Sequence, residues 1–188
     1  MTKNVLVVRH GQSTWNAEHR WAGHADPPLS PAGRRTADGL ARRVAGLGLS
    51  GVVASDLRRA HDTAAIVARH CGLEVEVDPR VRERRCGAWS GLTSTEIEAA
   101  YPGMLDRWRR GELRELPGDS EPWDDLAERV VAGLGAVAAR EGRWLVVSHA
   151  GVFRVVEAAL GVPSGRVGNL EGRWLEVGAG GLVDGGGF

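Results

Sequence analysis

The chain has 188 residues, 43% of them hydrophobic, and its 24 basic and 24 acidic side chains balance to a formal net charge of zero. This length supports one well-buried core, read as a single domain over residues 1–188, and the balanced charge offers no field that would draw nucleic acid or an anionic membrane as a partner. Two cysteines, Cys71 and Cys86, make neither a disulfide framework nor a CxxC site. The first apolar run is far too short for a signal sequence or a membrane span, so a cytoplasmic protein with free thiols is expected.

In chain order, residues 5–8, 52–54, 73–77, 145–147 and 174–177 read as buried strands, rich in β-branched side chains and bounded by glycine or polar breakers. Between them run helical patterns. Residues 31–47 open on Ser30-Pro31, a capping residue followed by proline at the first helical position. Residues 57–70 set Leu57, Ala60, Ala64, Ile66 and Val67 on roughly one side. Residues 123–140 and 152–160 repeat the pattern, the last ending at Gly161 ahead of Pro163. Such strand–helix alternation predicts a three-layer α/β/α sandwich on a mainly parallel central sheet. Residues 93–122, broken by Pro102-Gly103 and Pro117-Gly118, read as a small helical insertion over one end of the sheet, and the glycine-rich tail 178–188 as poorly ordered.

Three of the apolar runs end alike. Residues 5–8 lead into Arg9-His10-Gly11, 52–54 into Ser55-Asp56-Leu57-Arg58-Arg59-Ala60, and 145–147 into Ser148-His149-Ala150-Gly151. Ligands of open parallel sheets bind beyond the carboxyl ends of the strands. If these three strands are neighbours, two histidines and at least two arginines meet in one crevice, and helix N-termini add N–H donors and partial positive charge. Guanidinium forks match phosphate oxygens, so the crevice suits a phosphate dianion. A metal is disfavoured: Arg9 and Arg59 would repel a dication, and no carboxylate or HExxH spacing accompanies either histidine. Neither metal nor cofactor is therefore expected. Cationic surroundings hold an imidazole neutral near pH 7, the state a nucleophile needs.

Taken together, Arg9-His10-Gly11 with Ser13 and Trp15-Asn16, the Ser55–Ala60 motif with Thr63-Ala64, Arg82-Glu83-Arg84 with Gly87, Trp89 and Gly91-Leu92, and Ser148-His149-Ala150-Gly151 resemble, in order, the motifs of the histidine phosphatase superfamily, which includes the phosphoglycerate mutases. The resemblance spans nearly the whole chain. It implies that His10 attacks phosphorus and carries the phosphoryl group. Arg9, Arg59 and His149 would hold the equatorial oxygens, and Glu83 would protonate the leaving oxygen and later deprotonate water. Asn16, Gly23, Arg84 and Gly151 are implied substrate or phosphate contacts, and Trp21 and Trp89 are placed near the mouth. The implied partner is a small phosphorylated metabolite, and a homodimer is compatible with the family.

Departures from the family pattern bear on which reaction follows. Gln12 stands where many members carry Glu, Asp56 replaces a common proline, and Ala150 replaces a frequent glycine. Cys86 and Ser94 stand where mutases usually carry tyrosine and lysine, which weakens a mutase reading. Hydrolysis of a small phosphomonoester is the leading expectation, and the short insertion, which leaves the site open to water, favours it. A phosphoglycerate mutase, supported by Arg84 and Arg109-Arg110, is the first alternative, and a catalytically silent phosphoprotein-binding module the second. Plainer roles stay open: Glu83 could join a solvated cluster with Arg80, Arg82, Arg84 and Arg85, and Arg109-Arg110 could be an exposed face.

Overall fold

The computed structural model describes residues 4–163, 165–178 and 181–188. Strands β1 (Asn4–Arg9), β2 (Gly51–Ala54), β3 (Val75–Val77), β4 (Arg143–Ser148), β5 (Gly172–Gly178) and β6 (Gly181–Gly187) form one sheet in the order β3-β2-β4-β1-β5-β6. Pairings β3–β2, β2–β4 and β4–β1 are parallel, and β5 and β6 join antiparallel at the β1 edge. Seven described helices follow the chain: α1 (Thr14–Ala17), α2 (Pro31–Val44), α3 (Arg58–Cys71), α4 (Ser94–Ala100), α5 (Met104–Arg109), α6 (Trp123–Ala138) and α7 (Ala150–Ala159).

Alternation along the strands builds the three layers. Side chains of a strand point to opposite faces in turn, so Val5 and Val7 of β1, Val53 of β2 and Val146 of β4 meet α6 and α7. Their neighbours Leu6, Val8, Val52, Ala54, Leu145 and Val147 meet α2 and α3 on the other face. With both faces covered, the strands read as continuous apolar runs.

The helix signals hold locally. Ser30 caps α2 by accepting from the Gly33 amide, with Pro31 in the first turn, and α3 ends on Gly72 at φ 67°. The expected strand at 73–77 begins only at Val75, because the Leu73 amide still bonds the Ala68 carbonyl of α3 (2.9 Å). A larger correction concerns the tail. Gly178 ends β5 and residues 181–187 form β6, while residues 179 and 180 lie outside the described residues. Glycine is what permits this strand, since a Cβ at Gly185 would press on Trp174 (2.9 Å to its Cβ). Phe188 then packs edge-on against Trp174 and under the Arg43 guanidinium.

The insertion carries its own small core of Cys86, Trp89, Ile97, Leu105 and Leu116, with Trp21, Tyr101 and Trp108 packed against it. Trp89 is fully buried there, edge-on to Trp21 and Trp108, so it fills the insertion core and does not line the mouth. Main-chain bonds from Trp21 to Leu92 and from Gly91 to Trp21 (2.9 and 2.7 Å) tie this core to the loop that follows α1.

Two glycines of α2 give a paired test. A Cβ at Gly33 would collide with the Gln12 carbonyl, whereas one at Gly39 meets nothing within 4 Å. Chemical denaturation should show Gly39→Ala stabilising by about 0.5–1 kcal/mol through helix propensity and Gly33→Ala destabilising by about 1–3 kcal/mol through overpacking. The same sign at both positions would contradict the close approach of α2 to the His10 loop.

Candidate active site

Register sets the site. Arg9 pairs with Ser148 and Ala54 with Val147, so β1, β4 and β2 lie side by side and end at one level. Beyond those ends the His10 amide bonds the Ser148 carbonyl (2.9 Å) and the Ser55 amide the Val147 carbonyl (3.1 Å). His10 and His149 consequently face each other with ring centroids 5.0 Å apart, both buried.

The proton on His10 follows from its partners. Nδ1 lies 2.7 Å from the Gly11 carbonyl, which can only accept, so Nδ1 carries the hydrogen and Nε2 keeps its lone pair. Arg59 donates from Nε to that Nε2 at 3.3 Å, and its two terminal nitrogens donate to the Ala25 and Gly23 carbonyls (2.8 and 2.9 Å). Arg59 is 1% exposed while its neighbour Arg58 is exposed, as their order in the motif requires. Thr63, one turn on in α3, donates to the Arg59 carbonyl (2.7 Å) and accepts from the Gly11 amide (3.0 Å). Gly23 adopts φ 50°, and its backbone runs so close to Cys86 that a Cβ would lie 2.9 Å from the Cys86 amide.

Buried polar atoms at this spot have no partner. Among the described residues, Arg9 Nε and both ring nitrogens of His149 are buried without a hydrogen bond, although Arg9 also donates to the Val167 carbonyl (2.6 Å). Each such group costs on the order of 1–3 kcal/mol when left unsatisfied, and one oxyanion would accept from both Arg9 Nε and the N–H of the neutral His149 ring. Burial first, then Arg59 and Arg9, holds the His10 imidazole well below its ordinary pKa. His149 is lowered likewise, by burial and then by Arg59, His10 and Arg9. Both rings are therefore neutral, inside a cationic pocket that α7 also serves, because His149 occupies its N-cap position.

Glu83 reaches the pocket from a segment held at both ends. Its Oε1 accepts from the Arg84 and Gly151 amides (2.8 and 3.0 Å), and its main-chain carbonyl accepts from His24 Nε2 (2.7 Å) and from Arg129 (3.0 Å). Gly151 is tied to this contact, for a Cβ there would collide with Glu83 Oε1. One residue earlier, Arg82 grips Asp56 in a bidentate pair whose Nε–Oδ1 distance is 2.8 Å. The Arg82 hydrogen bond also keeps the Asp56 carboxyl below the usual carboxylate range.

Other candidates are placed less simply. Asn16 caps α1 reciprocally with Ser13, and its Oδ1 lies 3.4 Å from Asn169 Nδ2. Arg84 turns away into the insertion, donating to the Glu121 and Arg114 carbonyls (2.9 and 2.5 Å), and lines an open cleft of about 230 Å³ with Trp108 and Arg154. Arg109 and Arg110 are exposed and paired with Asp106 and Glu112. Sequence reasoning missed Asn169, which donates to the His10 carbonyl (2.8 Å), and Arg129, which holds the Glu83 carbonyl. Asn169 sits in no motif, and Arg129 reads as an ordinary helical surface charge; neither left a local signal.

Known proteins carry the same architecture. The family model of the histidine phosphatase superfamily (branch 1) matches residues 5–177. A glucosyl-3-phosphoglycerate phosphatase of Mycolicibacterium vanbaalenii is 34% identical over 86% of this chain and 76% of its own. Phosphoglycerate mutase-like protein 4 of Arabidopsis thaliana is 37% identical over 80% and 67%. Among solved structures, a mycobacterial glucosyl-3-phosphoglycerate phosphatase in complex with VO3 superposes with a TM-score of 0.88 at 30% identity, covering 97% of this chain and 96% of that one. With buried, neutral His10 set among Arg9, Arg59 and His149, and with the match running from β1 into β5, the chain belongs to the histidine phosphatase superfamily, branch 1.

Proposed function

We propose that this chain hydrolyses a small-molecule phosphomonoester in two steps through a phosphohistidine on His10. The observation that carries the reading is the fixed Nε2 lone pair of a neutral, buried His10, placed among buried donors that lack partners. In the first step His10 Nε2 forms a bond to phosphorus as the bond to the ester oxygen breaks, and Glu83 gives that oxygen its proton. Arg9, Arg59 and His149 offset the charge that builds on the equatorial oxygens. Arg59 leaves its long 3.3 Å bond to His10 for a phosphoryl oxygen. In the second step water attacks the phosphohistidine, Glu83 takes its proton, the P–N bond breaks, and phosphate leaves with His10 neutral again.

The unpaired donors favour a phosphoryl site, and the engagement elsewhere of the residues that would support a mutase favours release to water over transfer. Arg109 and Arg110, the basic pair that would support a mutase, are engaged with their own neighbours on an exposed face. Cys86 is buried with its thiol pushed up to about 12 by burial first, so it remains a neutral packing group beside Gly23. The names of the relatives put glucosyl-3-phosphoglycerate, and sugar and glycerate phosphates generally, at the head of a substrate panel. A cytoplasmic setting belongs to the same reading, supported by the free thiols of Cys71 and Cys86. No helix among the described residues is long and apolar enough to cross a membrane.

The reading makes three measurable claims. Phosphate release from p-nitrophenyl phosphate should persist in chelator and fall by at least about a thousandfold in His10→Ala, as loss of a covalent nucleophile requires; an unaffected variant would remove His10 from the reaction. Glu83→Gln should slow alkyl phosphates by roughly a hundredfold and p-nitrophenyl phosphate far less, because a good leaving group needs little protonation. Equal slowing would take the acid role from Glu83.

The third claim concerns pH. The folded pKa values of His10 and His149 lie below the ordinary 6.5, so below that pH the unfolded chain takes up protons that the folded chain refuses. Their contribution to stability is whole above about pH 6.5 and is lost as pH falls toward the folded values. Thermal melts between pH 7.5 and 5.5 should show the loss, smaller in His149→Asn. An identical slope in wild type and variant would show that His149 is not held neutral.

A further inference from the structure

The best-connected guanidinium beside the site belongs to a residue with no place in the motifs. Arg129 lies in the middle of α6, and an arginine has five N–H donors; here all five find acceptors. Nε and one N–H of Nη2 grip the two oxygens of Glu121 (2.6 and 2.7 Å). Nη1 donates to the main-chain carbonyls of Arg80 and Arg82 (2.8 and 2.7 Å), and the second N–H of Nη2 donates to the carbonyl of Glu83 (3.0 Å). Glu121 extends the same frame. Its carboxylate accepts from the Arg85 amide (3.3 Å), and its carbonyl accepts from Arg84 Nε (2.9 Å). Every residue from 82 to 85, along with Arg80, is thereby bonded to this pair through its main chain or side chain.

A surface-sealing ion pair would not look like this. Exposed pairs contribute little, and a largely buried pair is weak support for stability because desolvation offsets its attraction. Burial pushes the Glu121 carboxyl up, yet the Arg129 hydrogen bonds and charge bring it below its ordinary value overall, so the pair stays ionised. What the arrangement supplies is geometry: three carbonyls, one from the short 3-10 turn Pro79–Val81 and two from the irregular residues after it, are set against one planar fork.

We infer that Arg129, backed by Glu121, is a positioning residue for the leaving-group acid, fixing the Glu83 main chain so that the carboxylate meets the Arg84 and Gly151 amides beside His10. The inference rests on the acid role proposed for Glu83. Catalytic groups misplaced by about an ångström lose on the order of a hundredfold, so loosening the Glu83 segment, whose carbonyl would keep only its His24 bond, acts on protonation and leaves phosphoryl binding by Arg9, Arg59 and His149 in place.

Leaving-group dependence tests this, because a merely structural role would not move it. In the full chain, Arg129→Met should lower kcat/KM for alkyl phosphates by about tenfold or more, within the range of a general acid, while p-nitrophenyl phosphate falls by about threefold or less. Arg129→Lys, which keeps the charge but cannot span three carbonyls and a carboxylate, should fall between. Glu121→Gln, which leaves Arg129 its carbonyl bonds, should show a weaker form of the same selectivity and carries the test if Arg129→Met fails to fold. Equal loss on both substrates, or no loss, overturns the inference. Glu83→Gln run alongside separates the two ideas: if it too lacks leaving-group dependence, the acid assignment itself has failed.

Discussion

A buried guanidinium next to a neutral imidazole organises this molecule. Arg59 cannot lose its proton, so burying it obliges the chain to supply acceptors. It does so with the carbonyls of Gly23 and Ala25 and the lone pair of His10. The loop after α1 must therefore wrap over the start of α3. Gly23 takes φ 50° to make the turn, and the loop meets the insertion where Gly23 presses on Cys86. Thr63 closes the circuit by joining the Arg59 carbonyl to the Gly11 amide. Arg59 reinforces the tautomer that the Gly11 carbonyl sets on His10, and its charge adds to the histidines' own burial in lowering the pKa of both.

The second constraint is the segment from Arg80 to Arg85, which must bring a carboxylate into a cationic pocket without letting it collapse onto a guanidinium. Two backbone amides, from Arg84 and Gly151, receive the carboxylate. Three arginine contacts hold the segment from outside: Arg82 on Asp56, Arg85 on Asp119 and Arg129 on the carbonyls. Asp56, where family members commonly have proline, finds its reason here, since the carboxylate that replaces the rigid ring anchors the residue next to Glu83. The arginine-rich run around Glu83 could have been a solvated cluster; in the fold Arg80, Arg82 and Arg85 pair with Asp78, Asp56 and Asp119, and Arg84 is buried against the insertion.

Much of the sheet was legible because its signal is local. Residues 5–8, 52–54 and 145–147 are continuous apolar runs since both faces of the sheet are covered, and the Ser30-Pro31 start and the Gly161 stop are decided within a turn. Errors fell where a distant contact overrides local preference. The glycine-rich tail is a strand because Gly185 fits against Trp174 from β5. Trp89 is buried because Trp21 and Trp108 converge on it from two other segments.

By itself the sequence determined the residue types of the pocket and their order: His10 and His149 after strand runs, Arg59 in place of Arg58, and Glu83 within its arginines. Side-chain chemistry and strand-end position are properties of short stretches, so a linear reading reaches them. Only the tertiary structure decided how those groups are wired. The parallel pairing of β1 with β4 set the distance between the histidines, and the Gly11 carbonyl chose which nitrogen keeps its lone pair. The turning of Arg84 into the insertion and the capture of the Glu83 segment by Arg129, 46 residues away, depend on contacts between parts of the chain far apart in sequence. Such contacts exist only once the core has closed, which is why neither Arg129 nor Asn169 could be found in a motif.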